Sequence, residues 1–164
     1  MIKKKDIHIL MHLRKNARKK ITKIAEEVKM PVTTVYDKVK NHLKKGTIKG
    51  CITLLEFSKL GMQTRMQFII KVKKELKKEL EEFLLNHPNV NTLYQIGFGY
   101  DFLFETIFKN FSESDSFVIN LESKFPIEDL KRFYIVEELK KEEFLSKPEH
   151  FDIINKNQNR GVYK

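Results

Sequence analysis

Two segments, MQFIIKV at 66–72 and YDFLFETIF at 100–108, constrain the fold most, because each reads as a strand with apolar side chains on both faces. In the second, Phe102 and Phe104 project to one side and Leu103 and Ile107 to the other. In the first, Phe68 and Ile70 oppose Ile69. Such strands need cover on both sides of their sheet. Helical stripes accompany them: Leu76, Leu80, Phe83 and Leu84 in KKELKKELEEFLLN, then Phe117, Val118, Leu121 and Phe125 behind a candidate cap at Ser112. With further strands at 90–96 (VNTLYQI) and 130–139 (LKRFYIVEEL), the order is β-α-β-β-α-β, the ferredoxin-like split βαβ arrangement. Its two helices cover one sheet face only, and no helix remains for the other. A second copy of the chain is the expected cover, giving a homodimer through the open face.

The preceding part of the chain has a different character. Residues 1–50 hold 15 Lys and Arg against 4 Asp and Glu, a net of +11, whereas the remaining residues sum to −1. One end is a polycation, which points either to a polyanionic partner, nucleic acid such as double-stranded DNA first, or to a lysine-rich solvated surface. DIHILMHLRK at 6–15 reads as a helix capped by Asp6. ITKIAEEV at 21–28 places Ile21, Ile24, Ala25 and Val28 at i, i+3, i+4 and i+7. Pro31 breaks the pattern and opens a third helix, VTTVYDKVKNHLKK, capped by Thr33 or Thr34 and stopped at Gly46. TIKGCITLL then reads as a short hairpin or extended arm.

Three helices with a tight turn between the second and third, followed by a β wing, describe a winged helix-turn-helix. On the third helix Val35, Val39, His42 and Leu43 fall on one side. Thr33, Asp37, Lys40, Asn41 and Lys44 fall on the other. Short hydroxyls, an amide and lysines on one face can reach base edges and phosphates in a major groove. Thr33, Thr34, Asp37 and Asn41 are the candidate base-edge neighbours. Lys38, Lys40, Lys44, Arg18, Lys19 and Lys20 are the candidate phosphate contacts. The fold class is therefore α+β: an N-terminal winged helix-turn-helix at 1–50, a β arm and linker at 51–63, a ferredoxin-like dimerisation and effector module at 64–145, and a polar tail at 146–164.

These residues resemble the Lrp/AsnC, or feast/famine, family of prokaryotic transcription regulators. The resemblance rests on D-x-x-I-L (Asp6, Ile9, Leu10), N-A-R at 16–18, I-A-E-E-V at 24–28, T-T-V-Y-D-K-V-K at 33–40, G-T-I-K-G at 46–50, Y-D-F at 100–102 and F-Y-I-V-E-E at 133–138. It implies a dimer held by the C-terminal modules, with tetramers or octamers beyond it. It implies recognition helices in the major groove of partly palindromic DNA. It also implies a small effector, commonly an amino acid, near the turn between the second and third strands of that module. In this chain the turn is Gly97-Phe98-Gly99-Tyr100-Asp101, the candidate effector site. The family usually places glycine three residues before the aspartate, where this chain has Phe98, and a phenylalanine there is expected to fill the pocket. A bare strand turn is the alternative. Lys29 stands where helix-turn-helix turns often have glycine, and a left-handed Lys29 carries roughly 1–2 kcal/mol of strain. His42 stands where leucine is usual.

The expectation is a DNA-binding regulator that is not an enzyme. A sequence-tolerant, chromatin-like DNA binder is the second reading. The third is an enzyme similar to the sirohaem decarboxylases, which resemble this family; against it, the chain has no Trp, His87 and His150 lie outside the expected strands, and no nucleophile–base pair is seen. No cofactor is expected. Cys51 is the only cysteine, and His8 and His12 lack a third ligand nearby, so no metal site is expected. No run reaches the roughly 18 apolar residues of a membrane span, so a cytoplasmic protein with no membrane partner is expected.

Overall fold

The computed structural model describes residues 2–159. They form two compact units, one of residues 2–53 with 139–159 and one of residues 54–138.

The first unit begins with three helices, α1 (Lys4–Lys15), α2 (Ile21–Glu27) and α3 (Val32–Lys44). Ile9, Ile24, Ala25 and Val35 form its buried centre, with Leu13, Val28, Met30 and Val39 packed around them. Ala25 is small where α2 meets α3, and Leu43, expected inward, is about half exposed at 49%. The expected caps do not hold: Lys3 and Pro31 occupy the N-cap positions and no side chain caps either helix. Asp6 lies inside the first turn, where its carboxylate bonds Lys38 instead, and Thr33 and Thr34 are already helical. Both helix ends near the turns close with left-handed residues. Lys29 has φ +51°, and the N–H groups of Lys29 and Met30 donate to the carbonyls of Glu26 and Ala25. That is a Schellman closure with lysine in the position glycine usually takes. Gly46, at φ +69°, ends α3.

Residues 47–56 contain no strand, so no hairpin wing forms; the segment is the extended-arm alternative. A ladder needs a partner strand, and within the described residues none lies beside it. The expected polar tail also differs. Glu149–Asn159 is a helix, α6. The segment before and within it joins the first unit: Arg14 pairs with Glu142, Arg14 Nε donates to Phe144 O at 3.2 Å, and the His8 and Phe151 rings stack at 4.6 Å. The end of the expected tail, residues 160–164, lies outside the described residues.

The second unit is the β-α-β-β-α-β module: β1 (Thr64–Val72), α4 (Lys77–Asn86), β2 (Val90–Gln95), β3 (Phe102–Phe108), α5 (Phe111–Lys124) and β4 (Ile127–Tyr134). The four strands form an antiparallel sheet in the order β2-β3-β1-β4. The last strand starts and ends earlier than its apolar run FYIV suggests, because pairing with β1 fixes Val72 opposite Ile127. Asn110, not Ser112, caps α5: its Oδ1 accepts the Glu113 N–H at 3.0 Å, while the Glu113 carboxylate accepts the Lys109 N–H at 3.1 Å. Phe68 and Phe104 stack at 5.0 Å on the helix-covered face, with Phe117 of α5 across them and Leu80, Leu84 and Leu121 completing the core.

The opposite sheet face is mixed rather than uniformly apolar. Ile69 sits opposite Leu103, but Gln67 sits opposite Glu105 and Arg65 opposite Ile107. Glu105 is buried there, bonded by Arg65 Nη2 and Asn91 Nδ2, each at 2.6 Å. Ile107 is buried by the chain itself, in a groove of about 300 Å³ that Phe57, Leu60, Met62 and Val90 help to line. Tyr94 and Phe133 remain half exposed on this face.

Candidate nucleic-acid interface and effector turn

Helix α3 exists because Val35, Val39 and His42 return to the core at helical spacing. The same spacing turns Thr33, Asp37, Lys40, Asn41 and Lys44 to solvent. These five expected residues form one outward face, and Thr34 lies half-buried beside it. Tyr36 belongs to the face as well and is 54% exposed. It follows Thr33 by three residues, so helical spacing alone sets it on this face. Two expected phosphate contacts are engaged within the unit. Lys38 Nζ is 2.5 Å from Asp6 Oδ1, and Lys19 Nζ is 2.6 Å from Glu27 Oε2. Arg18, Lys20, Lys40 and Lys44 are exposed. His42 is buried with Nε2 4.0 Å from Asp6 Oδ2, and its Nδ1 has no hydrogen-bond partner among the described residues.

The GFGYD turn joins β2 to β3. Phe98 and Gly99 both have positive φ, +59° and +94°, the sign pattern of a type I′ hairpin turn. Gly99 meets that demand without strain; Phe98 does not. A Cβ added at Gly97 or Gly99 would meet open space, so neither glycine is required by a close neighbour. Phe98 fills no pocket. Its side chain is fully exposed, at 108% of the reference area, because the left-handed backbone aims it away from the sheet.

The other two turn residues are structural anchors. Asp101 N–H donates to Ile70 O at 2.9 Å and its carbonyl accepts the Ile96 N–H at 2.9 Å. Its carboxylate accepts the Val72 N–H at 3.0 Å and pairs with Lys77 Nζ at 2.9 Å. Burial alone would raise the Asp101 pKa, but the Val72 N–H and the Lys77 ammonium outweigh it and hold the carboxyl below its ordinary value. Tyr100 donates to Asp129 Oδ2 at 2.6 Å, and the Lys131 ammonium lies 4.9 Å from its ring centre. Of the five expected effector residues, two thus brace the hairpin and one stands free at its tip.

An outward polar helix face on a small helical unit, and a βαββαβ module carrying a braced β2–β3 turn, are the features to compare with known proteins. No family model matches the chain. An AsnC family transcriptional regulator from Agrobacterium tumefaciens superposes with a TM-score of 0.76 at 20% identity, covering 85% of this chain and 94% of the other. The chain has the Lrp/AsnC fold. A second protein of this fold, a transcriptional regulator from Neisseria meningitidis solved with L-Met, gives a TM-score of 0.79 at 17% identity over 86% of this chain and 94% of that one. In sequence, the chain is 28% identical over 145 residues to an uncharacterized HTH-type transcriptional regulator of Pyrococcus abyssi, spanning 88% of this chain and 96% of that protein. The similarity to Lrp/AsnC regulators thus runs through both units. Among the described residues, no helix is long and apolar enough to cross a membrane.

Proposed function

We propose that this chain is a cytoplasmic, sequence-specific DNA-binding transcription regulator that acts as a homodimer and responds to a small effector. The observation that carries the reading is the outward face of α3, where Thr33, Asp37, Lys40, Asn41 and Lys44 project together from a helix whose other side is core. Thr33, Asp37 and Asn41 are assigned to base edges, with Tyr36 beside them. Arg18, Lys20, Lys40 and Lys44 are assigned to phosphates. Lys38 and Lys19 act within the unit, through Asp6 and Glu27. The dimer forms through Ile69, Leu103 and their neighbours on the half-covered sheet face, and two-fold symmetry sets half-sites about one helical turn apart.

The effector part of the reading is supported by the L-Met complex of the Neisseria protein, and an amino acid is the first class to test. Phe98, exposed at the turn, narrows that role: a ligand here is held by the surroundings of the turn rather than by a pocket that Phe98 closes.

The test is fluorescence anisotropy of the full chain on DNA from its own upstream region against a scrambled duplex of equal length, at two salt concentrations, with and without the common amino acids. A preference of about 10³ or more is expected for a regulator. Equal affinity for both duplexes supports instead the chromatin-like reading, which the +11 charge of residues 1–50 also favours. Preference without any response to amino acids removes that effector class.

A further inference from the structure

The first unit contains a cleft of about 900 Å³ that neither the outward face of α3 nor the hairpin turn uses. It lies between α1, α2 and the C-terminal segment, and its volume falls in the range of about 300–1,000 Å³ typical of small-molecule sites. Its walls have two characters. Met11, Pro148 and Phe151 supply apolar surface, and the His8 ring lies against Phe151 at 4.6 Å and 20° between planes. Lys15, Lys19 and Lys23 supply positive charge, with Glu27 as the one acid on the lining.

That acid is already committed. Its carboxylate holds Lys19 Nζ at 2.6 Å and His12 Nδ1 at 3.3 Å. Lys15 and Lys23 have no hydrogen-bond or ion-pair partner among the described residues, so the cleft carries surplus cation. His12 feels the surplus: burial, and then Lys19, push its pKa down although Glu27 pulls it up.

We propose that this cleft is a second ligand site, for an amphipathic organic anion. A carboxylate or sulfonate head pairs with Lys15 and Lys23, and an aromatic body lies on Met11 and the His8–Phe151 stack. The two characters of the wall select this chemistry. A bare phosphate, free or in a DNA backbone, uses the lysines but gains nothing from the apolar surface. An uncharged aromatic uses the surface but leaves the lysines unpaired. The site stands on the cleft alone and does not depend on the DNA-binding reading. Because the C-terminal segment forms one wall and α1 and α2 the others, a bound anion holds that segment onto the helical unit.

The experiment is NMR of the histidine ring protons of the full chain during titration with 1-naphthoate. Saturable shifts of His8 and His12, with His87 of the other unit unmoved, are expected. Naphthalenemethanol and inorganic phosphate should each bind at least about tenfold more weakly, as should naphthoate to the K15Q/K23Q variant. Phe151→Ala provides an independent check should the double variant misfold, and it should weaken naphthoate while leaving phosphate unchanged. Absence of saturable shifts at His8 and His12 overturns the proposal. So does phosphate binding as tightly as naphthoate, or a K15Q/K23Q variant that loses duplex DNA affinity yet keeps naphthoate.

Discussion

Lys38 Nζ lies 2.5 Å from Asp6 Oδ1, fastening α3 to α1 across 32 residues of sequence. The pair is partly buried, with His42 Nε2 at 4.0 Å from the other carboxylate oxygen. A lysine of α3 is thereby drawn inward, and under the proposed DNA-binding reading it contacts no phosphate. Replacing Asp6 by Ala should leave Lys38 unpaired and cost about 1–3 kcal/mol of stability, read by urea unfolding. In DNA binding, Lys40→Ala should lower the log–log salt slope by about 0.9, whereas Lys38→Ala should leave it unchanged. A lowered slope for Lys38→Ala would return that lysine to the interface.

Phe98 carries a left-handed backbone without the freedom of glycine. Phe98→Gly removes the strain, less the added flexibility of the unfolded chain, and should raise stability by up to about 1 kcal/mol. Lys29→Gly, at φ +51° in the other unit, should act likewise and additively. Calorimetric unfolding of the two single variants and the double variant checks both claims. A destabilised F98G would mean that the exposed ring makes contacts in the assembled protein.

The Asp101 carboxylate makes stability depend on pH in a definite direction. Its folded-state pKa lies below its ordinary value near 3.8. The stabilisation is therefore complete above that value and is lost as pH falls through the lower folded-state pKa. Thermal unfolding from pH 6 to pH 2 should show the wild type losing stability over the acid end, and Asp101→Asn losing less there. At neutral pH, Asp101→Asn should be less stable by about 1–2 kcal/mol, since the Lys77 pair is lost while an acceptor for the Val72 N–H remains.

Ile69 and Leu103 face each other on the sheet surface that the helices leave open. Leu103→Lys should convert a dimer to monomer, followed by sedimentation equilibrium, with the far-ultraviolet circular dichroism unchanged. Half-site DNA affinity should survive and full-site affinity should fall. A variant that remains dimeric would place the interface elsewhere.

The order of elements was legible because it depends on periodicity: the stripes Leu80–Leu84 and Phe117–Leu121, and the strands around Phe68 and Phe104, lie where the apolar spacing puts them. The turn at Lys29 was legible only through the family resemblance, which set lysine where such turns often have glycine; its φ of +51° came from the structure. Features set by distant partners were not. Asp6 has the chemistry of a cap, but Lys38 takes its carboxylate. The strand ending at Tyr134 continues as an apolar run, yet its register is dictated by β1. Phe98 was expected to fill a pocket, but the sign of its φ, which composition does not reveal, points it outward. In α6 the apolar signal is only Phe151, Ile153 and Ile154 amid polar residues, with Ile153 half exposed, and the helix is completed by surfaces of a unit that starts far upstream.

That return of the chain has a consequence for biosynthesis. The sheet module, Leu54–Glu138, is inserted between the two stretches that make up the helical unit. At translation rates of about 5–20 residues per second, roughly 4–17 s separate the emergence of the first three helices from that of the segment that packs beside them. During that interval the nascent helices carry their cationic surface uncovered, in the immediate neighbourhood of ribosomal RNA.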